Sequence, residues 1–208
     1  TPAFLKQGGW RHATGRRAVR FVVMHTYRKR DYPLNDARRH IETGPIVLIG
    51  SAHKRETNIM TMGWHMMMEL EPALIGCYIW TENHTRKLVM ASKECVINVP
   101  TVDLVDTVVK IDNSSGAEID KFEAFDLTPV KTTKIGAPLI KECYAKLECR
   151  LHDARLVRTY RRFLWEGVKA YVATSPKNPR TIHFRGNGEF MTAGETIIRR
   201  RMFKPEML

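Results

Sequence analysis

The sequence predicts a mainly β protein with peripheral helices, and three observations carry that expectation. Apolar runs of strand length recur at residues 46–52, 73–80 and 95–99, each bounded by turn residues. Residues 143–157 alternate in part: Tyr144, Lys146, Glu148, Arg150 and His152 fall on one face, with Cys143, Ala145, Leu147, Cys149 and Leu151 on the other. Helical spacing is confined to short stretches, such as Val102, Val105, Val108 and Val109.

The elements follow in order. Residues 1–23 hold Lys6, Arg11, Arg16, Arg17 and Arg20 and no acid, and read as a basic N-terminal extension. Residues 24–208 read as a single domain, with Met24 a plausible natural start. Tyr32-Pro33-Leu34-Asn35 starts a short helix, with Asn35 or Asp36 near its cap and Ile41 on its apolar side; Gly44-Pro45 ends it. Strands follow at 46–52, 58–64 and 66–70. Met66-Met67-Met68 reads as core packing, because neighbours on a strand alternate faces and make a poor ligand set. Glu71-Pro72 is a turn, and 73–80 is a strand buried on both faces or in a dimer interface. A short helix runs from the Asn83 loop to about Lys93, then a strand over 95–99. Thr101 can cap the next helix. Asn113-Ser114-Ser115-Gly116 is a loop before another helix start at Asp120-Lys121-Phe122. Residues 143–157 and 163–172 form a long hairpin that closes a barrel, and two short strands end the pattern near 181–184 and 188–191.

Composition narrows the classes. A chain of 208 residues suits one domain with a real core. The formal charge of +12 invites a nucleic-acid reading, but the excess lies at the ends, in residues 1–23 and Arg199-Arg200-Arg201, without interleaved aromatic pairs. No nucleic-acid partner is expected. No apolar stretch is long and clean enough to span a bilayer, so no membrane is expected either. Cys77, Cys95, Cys143 and Cys149 fit no metal or CxxC spacing, and read as reduced, mostly buried thiols of a cytoplasmic protein. No metal site and no assembled nucleophile–base set is visible; His152-Asp153 point to opposite faces of a strand, and His65 reads as a pleat residue.

The stretch from Thr57 to Pro100 carries the candidate site. The backbone of Met60-Thr61-Met62, at a strand end, can read the edge of a flat ring whatever its side chains, and Trp64 can wall it. Asn83 or Thr85 can cap the helix that begins at Asn83-His84-Thr85, leaving N–H groups and a positive dipole end for a phosphate, with Arg86 and Lys87 adding charge. Ser115, Gly116 and Lys121 can cradle a phosphate. Asn98 interrupts an apolar strand and needs partners, of which a ligand edge is one candidate. Each residue alone also has an ordinary reading: a capped helix, a core tryptophan, a backbone-paired amide.

The ordered set Gly44-Pro45-Ile46-Val47-Leu48, Asn58-Ile59-Met60-Thr61-Met62-Gly63-Trp64, Asn83-His84-Thr85, Cys95-Val96-Ile97-Asn98-Val99-Pro100, Ser115-Gly116 with Asp120-Lys121-Phe122, and Ala137-Pro138-Leu139-Ile140 resembles the flavin reductase-like family. The order and spacing fit from about Pro45 to about Pro176. The resemblance implies an FMN-binding split β-barrel with Greek-key connectivity and a homodimer with the flavin at its interface. It places Thr85 and Lys121 toward the phosphate and Asn58 and Trp64 toward the ring. Phe184 or Phe190 could cover a flavin face, and Tyr160 could reach it. The expected activity is NAD(P)H-dependent flavin reduction, passing electrons to free flavin or to another small-molecule or protein acceptor. The alternatives are a flavoredoxin-like electron carrier without nicotinamide turnover, and a basic binding protein without cofactor.

Overall fold

The computed structural model describes residues 27–34 and 44–204. The basic extension and the expected helix at Asn35, Asp36 and Ile41 lie outside the described residues, apart from its first positions. Those first positions differ from expectation. Tyr32 ends strand β1 (Lys29–Tyr32), which pairs antiparallel with the last long strand.

In chain order, β1 is followed by β2 (Val47–His53), β3 (Glu56–Met62), β4 (His65–Glu69), β5 (Leu74–Tyr78), α1 (His84–Ser92) and β6 (Glu94–Val99). A 3-10 turn (Val102–Leu104) leads into α2 (Val105–Asp112), then α3 (Lys121–Ala124), β7 (Pro129–Val130), β8 (Leu139–Ile140) and β9 (Ala145–Asp153). The chain continues with α4 (Val157–Tyr160), β10 (Arg162–Ala173), β11 (Ile182–Gly186) and β12 (Glu189–Thr192).

The main sheet runs β3-β2-β6-β9-β10-β5-β4, antiparallel throughout, with β1 added to β10. Strands β6, β9 and β10 are successive neighbours and β5, which precedes them, returns beside β10, the Greek-key arrangement. The first and last strands of this path, β3 and β4, are consecutive in sequence and joined by Gly63-Trp64 alone. A flat path of seven strands is about 29 Å wide, whereas that link reaches only about 11 Å. The sheet must therefore curl until its ends meet. They meet without pairing, which makes the barrel a split one.

Strand β2 reads as unbroken apolar sequence because both its faces are covered. Val47 and Ile49 face the barrel interior with Ile75, Cys77, Ile97, Leu147 and the stacked Phe163–Trp165 pair. Leu48 faces the other way, into a second core built with Ile59, Val108, Ile111 and Phe122 from β3, α2 and α3. All four cysteines are buried, free thiols. No described helix is long and apolar enough to cross a membrane.

Three expectations are corrected and a fourth is narrowed. Of the two coverings expected for strand β5, the single chain does not bury both faces: Ile75 and Cys77 are buried, while Leu74 and Tyr78 are half-exposed. Met66 and Met68 share that open face and are 53% and 54% exposed, so only Met67 packs on the core. Val109 turns outward from α2. The polar face of β9 is not half-exposed at its start, because the segment 131–141 folds over it. Glu148 accepts from Thr133 N, Lys134 N and the Tyr171 hydroxyl, and Lys146 donates to Lys141 O. Burial, with the Lys29 amine beside it, pulls the Lys146 pKa down to about 7.

Candidate functional site

A polar cavity of about 150 Å³ opens between β3, the start of α1, the end of α2 and the loop before α3. Residues from four separate segments line it. Asn58, Met60 and Thr61 come from β3, Glu82 to Thr85 from the α1 entry, Asp112 from the end of α2 with Ser115-Gly116 from the loop after it, and Lys121 from α3.

The N-terminus of α1 faces this cavity without a side-chain cap. Asn83 sits at the capping position, but its Oδ1 accepts from Trp80 N (3.0 Å) and closes the preceding turn instead. The first N–H groups of the helix are left for another acceptor. Thr85 is buried, and its Oγ1 accepts from Asn58 Nδ2 (2.9 Å). Because the hydroxyl is the acceptor in that bond, its own proton remains available to donate. Asn58 Oδ1 is buried and has no donor among the described residues. A buried amide oxygen left in this way is costly and marks a place for a donor.

Lys121 is buried too, and its Nζ donates to Ile111 O (2.8 Å), at the last turn of α2. Burial lowers its pKa from the ordinary 10.5, and the Asp112 carboxylate opposes that effect. Burial also raises the Asp112 pKa, with Lys121 opposing. His84 is held by Glu56, and that hydrogen bond keeps the Glu56 carboxyl below its ordinary value. Ser115 Oγ accepts from Ala117 N (3.2 Å) and Thr61 Oγ1 donates to Val108 O (2.8 Å), so both side chains also shape the backbone around the cavity.

A shallower groove of about 240 Å³ continues from the cavity along β3. Met60, Thr61 and Asn83 line both. Met62, Gly63, Trp64, Tyr78 and Trp80 complete it. The Met62 side chain is buried in the barrel core, so it offers the groove its backbone rather than its thioether. Strand β3 is an end of the sheet path, so alternate N–H and C=O groups along it face away from β2. Trp64 is 71% exposed and stands against Tyr78, ring centroids 5.1 Å apart. Phe184 and Phe190 pack on each other and, with Trp64, border a neighbouring cavity of about 390 Å³; Tyr160 lines a further depression that shares Trp64 and Tyr78 with the groove.

The structure thus brings Asn58, Met60, Thr61, Asn83, His84, Thr85, Ser115 and Lys121 to one cavity, with Met62 and Trp64 in the adjoining groove. It does not bring Asn98 there. That amide is fully buried and spent on the backbone: Nδ2 donates to Leu48 O (3.1 Å), and Oδ1 accepts from Ile140 N (3.0 Å). Its place in an apolar strand is explained by the β8 N–H it satisfies. Arg86 and Lys87 do not line the cavity either, and Lys87 turns to Glu56. The sequence reading missed Asp112 and the aromatic pair Tyr78 and Trp80, which carry no motif of their own. His65 sits on β4 as a pleat residue. Its Nε2 donates to Pro45 O (2.7 Å), and burial lowers its pKa.

Comparison with known proteins bears on the family and the fold. Residues 38–191 match the family described as flavin reductase like domain. An uncharacterized protein of Archaeoglobus fulgidus is 39% identical over 94 residues, 45% of this chain; the chain spans about half of that relative's length (53%). An FMN-binding domain of a flavin reductases-like enzyme from Shewanella baltica superimposes with a TM-score of 0.78 at 22% identity, covering 84% of this chain and 99% of that one. Flavoredoxin of Desulfovibrio vulgaris superimposes with a TM-score of 0.68 at 21% identity, covering 76% and 90%.

Proposed function

The chain belongs to the flavin reductase-like family, and from that premise we propose that it is an FMN-binding oxidoreductase that takes hydride from NADH or NADPH and passes the electrons to free flavin or another acceptor. The observation that carries this reading is the continuity of cavity and groove through Met60, Thr61 and Asn83. One flat molecule with a polar tail and an anionic end can occupy both.

The residues fit FMN in order. The uncapped start of α1, the Thr85 hydroxyl and the Lys121 ammonium suit a phosphate monoester. The orphaned Asn58 Oδ1 suits a hydroxyl of the ribityl chain, since it can only accept. Trp64 and the outer backbone of β3 suit the ring face and the ring edge. When bound, FMN supplies hydride acceptance and single-electron transfer. The chain's part is positional. Among the described residues no carboxylate or histidine side chain lines the groove, so no general acid is drawn from them. Backbone N–H groups at the β3 edge would favour negative charge on a bound ring, and Trp64 would stand against one of its faces.

The open face of β4 and β5 supports a homodimer with the flavin at its interface. Met66, Met68, Leu70 and Trp80 are each about half exposed there, beside Trp64. An apolar surface of this kind is disfavoured on a monomer. Met68→Glu is expected to shift the protein from dimer to monomer in sedimentation velocity; an unchanged sedimentation coefficient would place the interface elsewhere.

The test of function is an absorbance spectrum of the purified protein with added FMN, followed by anaerobic titration with NADH and NADPH. Expected are a bound-flavin spectrum and its bleaching by one of the two nucleotides. Tight FMN without bleaching would assign the protein to electron carriage instead. A protein that binds no FMN would overturn the reading.

A further inference from the structure

Residues 194–204 lie outside both the cores and the proposed site, and every one of them is exposed. The family match ends before them, at residue 191. Ala193 N donates to Thr181 O (2.8 Å) and ties the chain to the body. Past that point the hydrogen bonds are internal: Met202 N donates to Arg199 O, Phe203 N to Arg200 O and Arg199 Nη1 to Ile198 O.

The composition of this segment is two-sided. Ile197 is 68% exposed, Ile198 77%, Met202 79% and Phe203 56%. Scattered apolar residues on a surface are ordinary, but four within one run of seven are not. Arg199, Arg200 and Arg201 stand between the two apolar pairs, Lys204 follows them, and Glu195 is the one acid of the segment. Among the described residues none of these four cations forms an ion pair. The segment starts at the base of the β11–β12 hairpin, where Val102 N donates to Arg180 O. The hairpin tip, at Gly188, borders the cavity that Trp64 also lines. The start is thus at the end of the hairpin away from Trp64 and the open β4–β5 face.

Both halves of the segment need a partner at once. A phosphodiester backbone would take the guanidinium groups and leave the isoleucines, Met202 and Phe203 in water. An anionic bilayer takes both: headgroup charge lies at its surface, and acyl chain begins within about 5–10 Å of depth. We propose that residues 194–204 hold the protein to an anionic lipid surface, with Arg199, Arg200, Arg201 and Lys204 among the headgroups and Ile197, Ile198, Met202 and Phe203 beneath them. The contact is with the surface alone, since a span needs about 20 apolar residues. Each cation near such a surface multiplies partitioning by about fivefold. The flavin reading is not needed for this proposal.

The test is co-sedimentation of the full chain with vesicles of phosphatidylcholine alone and of phosphatidylcholine with about one third phosphatidylglycerol. Expected is binding to the mixed vesicles only, weaker as salt rises. Arg199→Gln/Arg200→Gln/Arg201→Gln should lose at least thirtyfold in partitioning, and Ile197→Ser/Ile198→Ser/Met202→Ser/Phe203→Ser at least tenfold. Both variants should keep the parent's Tm and FMN affinity, because the segment packs on neither core. A companion variant with Lys6, Arg11, Arg16, Arg17 and Arg20 replaced by glutamine should keep most of the binding. Equal binding to both kinds of vesicle, or an unaffected arginine variant, overturns the proposal. Loss of binding in the companion variant also overturns it, by moving the contact to the N-terminal extension. A changed sedimentation coefficient in the serine variant would give the segment to a subunit contact instead, and arginine-dependent binding of duplex DNA that the serine variant leaves intact would give it to nucleic acid. Vesicle binding by a protein that takes no FMN would sustain this proposal and remove the flavin reading; FMN binding without vesicle binding would remove this proposal alone.

Discussion

Lys121→Ala should weaken FMN binding by about 10- to 100-fold in a fluorescence titration, the largest loss expected from a single side chain. A hydrogen bond to a charged group contributes about 1.5–3 kcal/mol, and Lys121 is the one lysine lining the polar cavity among the described residues. Its pH dependence gives a second signature. Burial lowers the Lys121 pKa below 10.5. In the free protein the buried ammonium is disfavoured. A lysine with its folded pKa below its unfolded one costs stability while it is charged, and that cost is relieved as pH rises through the folded value. Stability of the free protein should therefore gain from this group on the alkaline side. A bound phosphate favours the ammonium, so FMN affinity should fall over the same range. The two slopes have opposite signs, and Lys121→Met should flatten both. Equal FMN affinity in Lys121→Ala and the parent protein would remove Lys121 from the site.

Gly116→Ala should cost both stability and ligand. A Cβ at this position would sit 2.0 Å from Asn58 Oδ1 and 2.4 Å from Asn58 Cγ. Asn58 has little room to retreat: it is 3% exposed and its Nδ2 is bonded to Thr85. Something must shift, and overpacking of this kind costs about 1–3 kcal/mol. The shift also breaks the Asn58–Thr85 bond that leaves the Thr85 proton available. A fall in Tm of several degrees is expected, with FMN affinity at least tenfold weaker. The double variant Asn58→Ala/Gly116→Ala removes the clash and should recover most of the stability lost by Gly116→Ala. If the two substitutions simply add, Gly116 and Asn58 do not touch in solution.

Much of the architecture was legible because strand alternation and turn residues are local signals. The strands at 46–52, 73–80 and 95–99 and the hairpin after 143 all lie close to where their apolar pattern puts them. What escaped was whatever a distant segment decides. Lys146 and Glu148 alternate like surface residues, yet 131–141 folds over them and supplies their partners. Met66 and Met68 look like core because sequence does not reveal that one chain leaves the β4–β5 face open. Asn98 looks like a ligand contact because the N–H it satisfies, at Ile140, is 42 residues away. The cavity residues were gathered by the order of several weak motifs, and Lys121 stood out as the lysine after a Ser-Gly turn. Asp112, Tyr78 and Trp80 had no such frame, since each enters through tertiary packing alone.

The two-residue link between β3 and β4 has an evolutionary corollary. Gly63-Trp64 works as a clasp on a hoop, and beside the clasp the outer main chain of β3 stays bare. Recognition through peptide groups is indifferent to the residues that carry them. Such a rim tolerates drift, because replacing Met60 or Met62 with another apolar residue alters the filling of the hoop but not the row of amides outside it. Lineages at 21–22% identity can then keep one shape and diverge almost everywhere else.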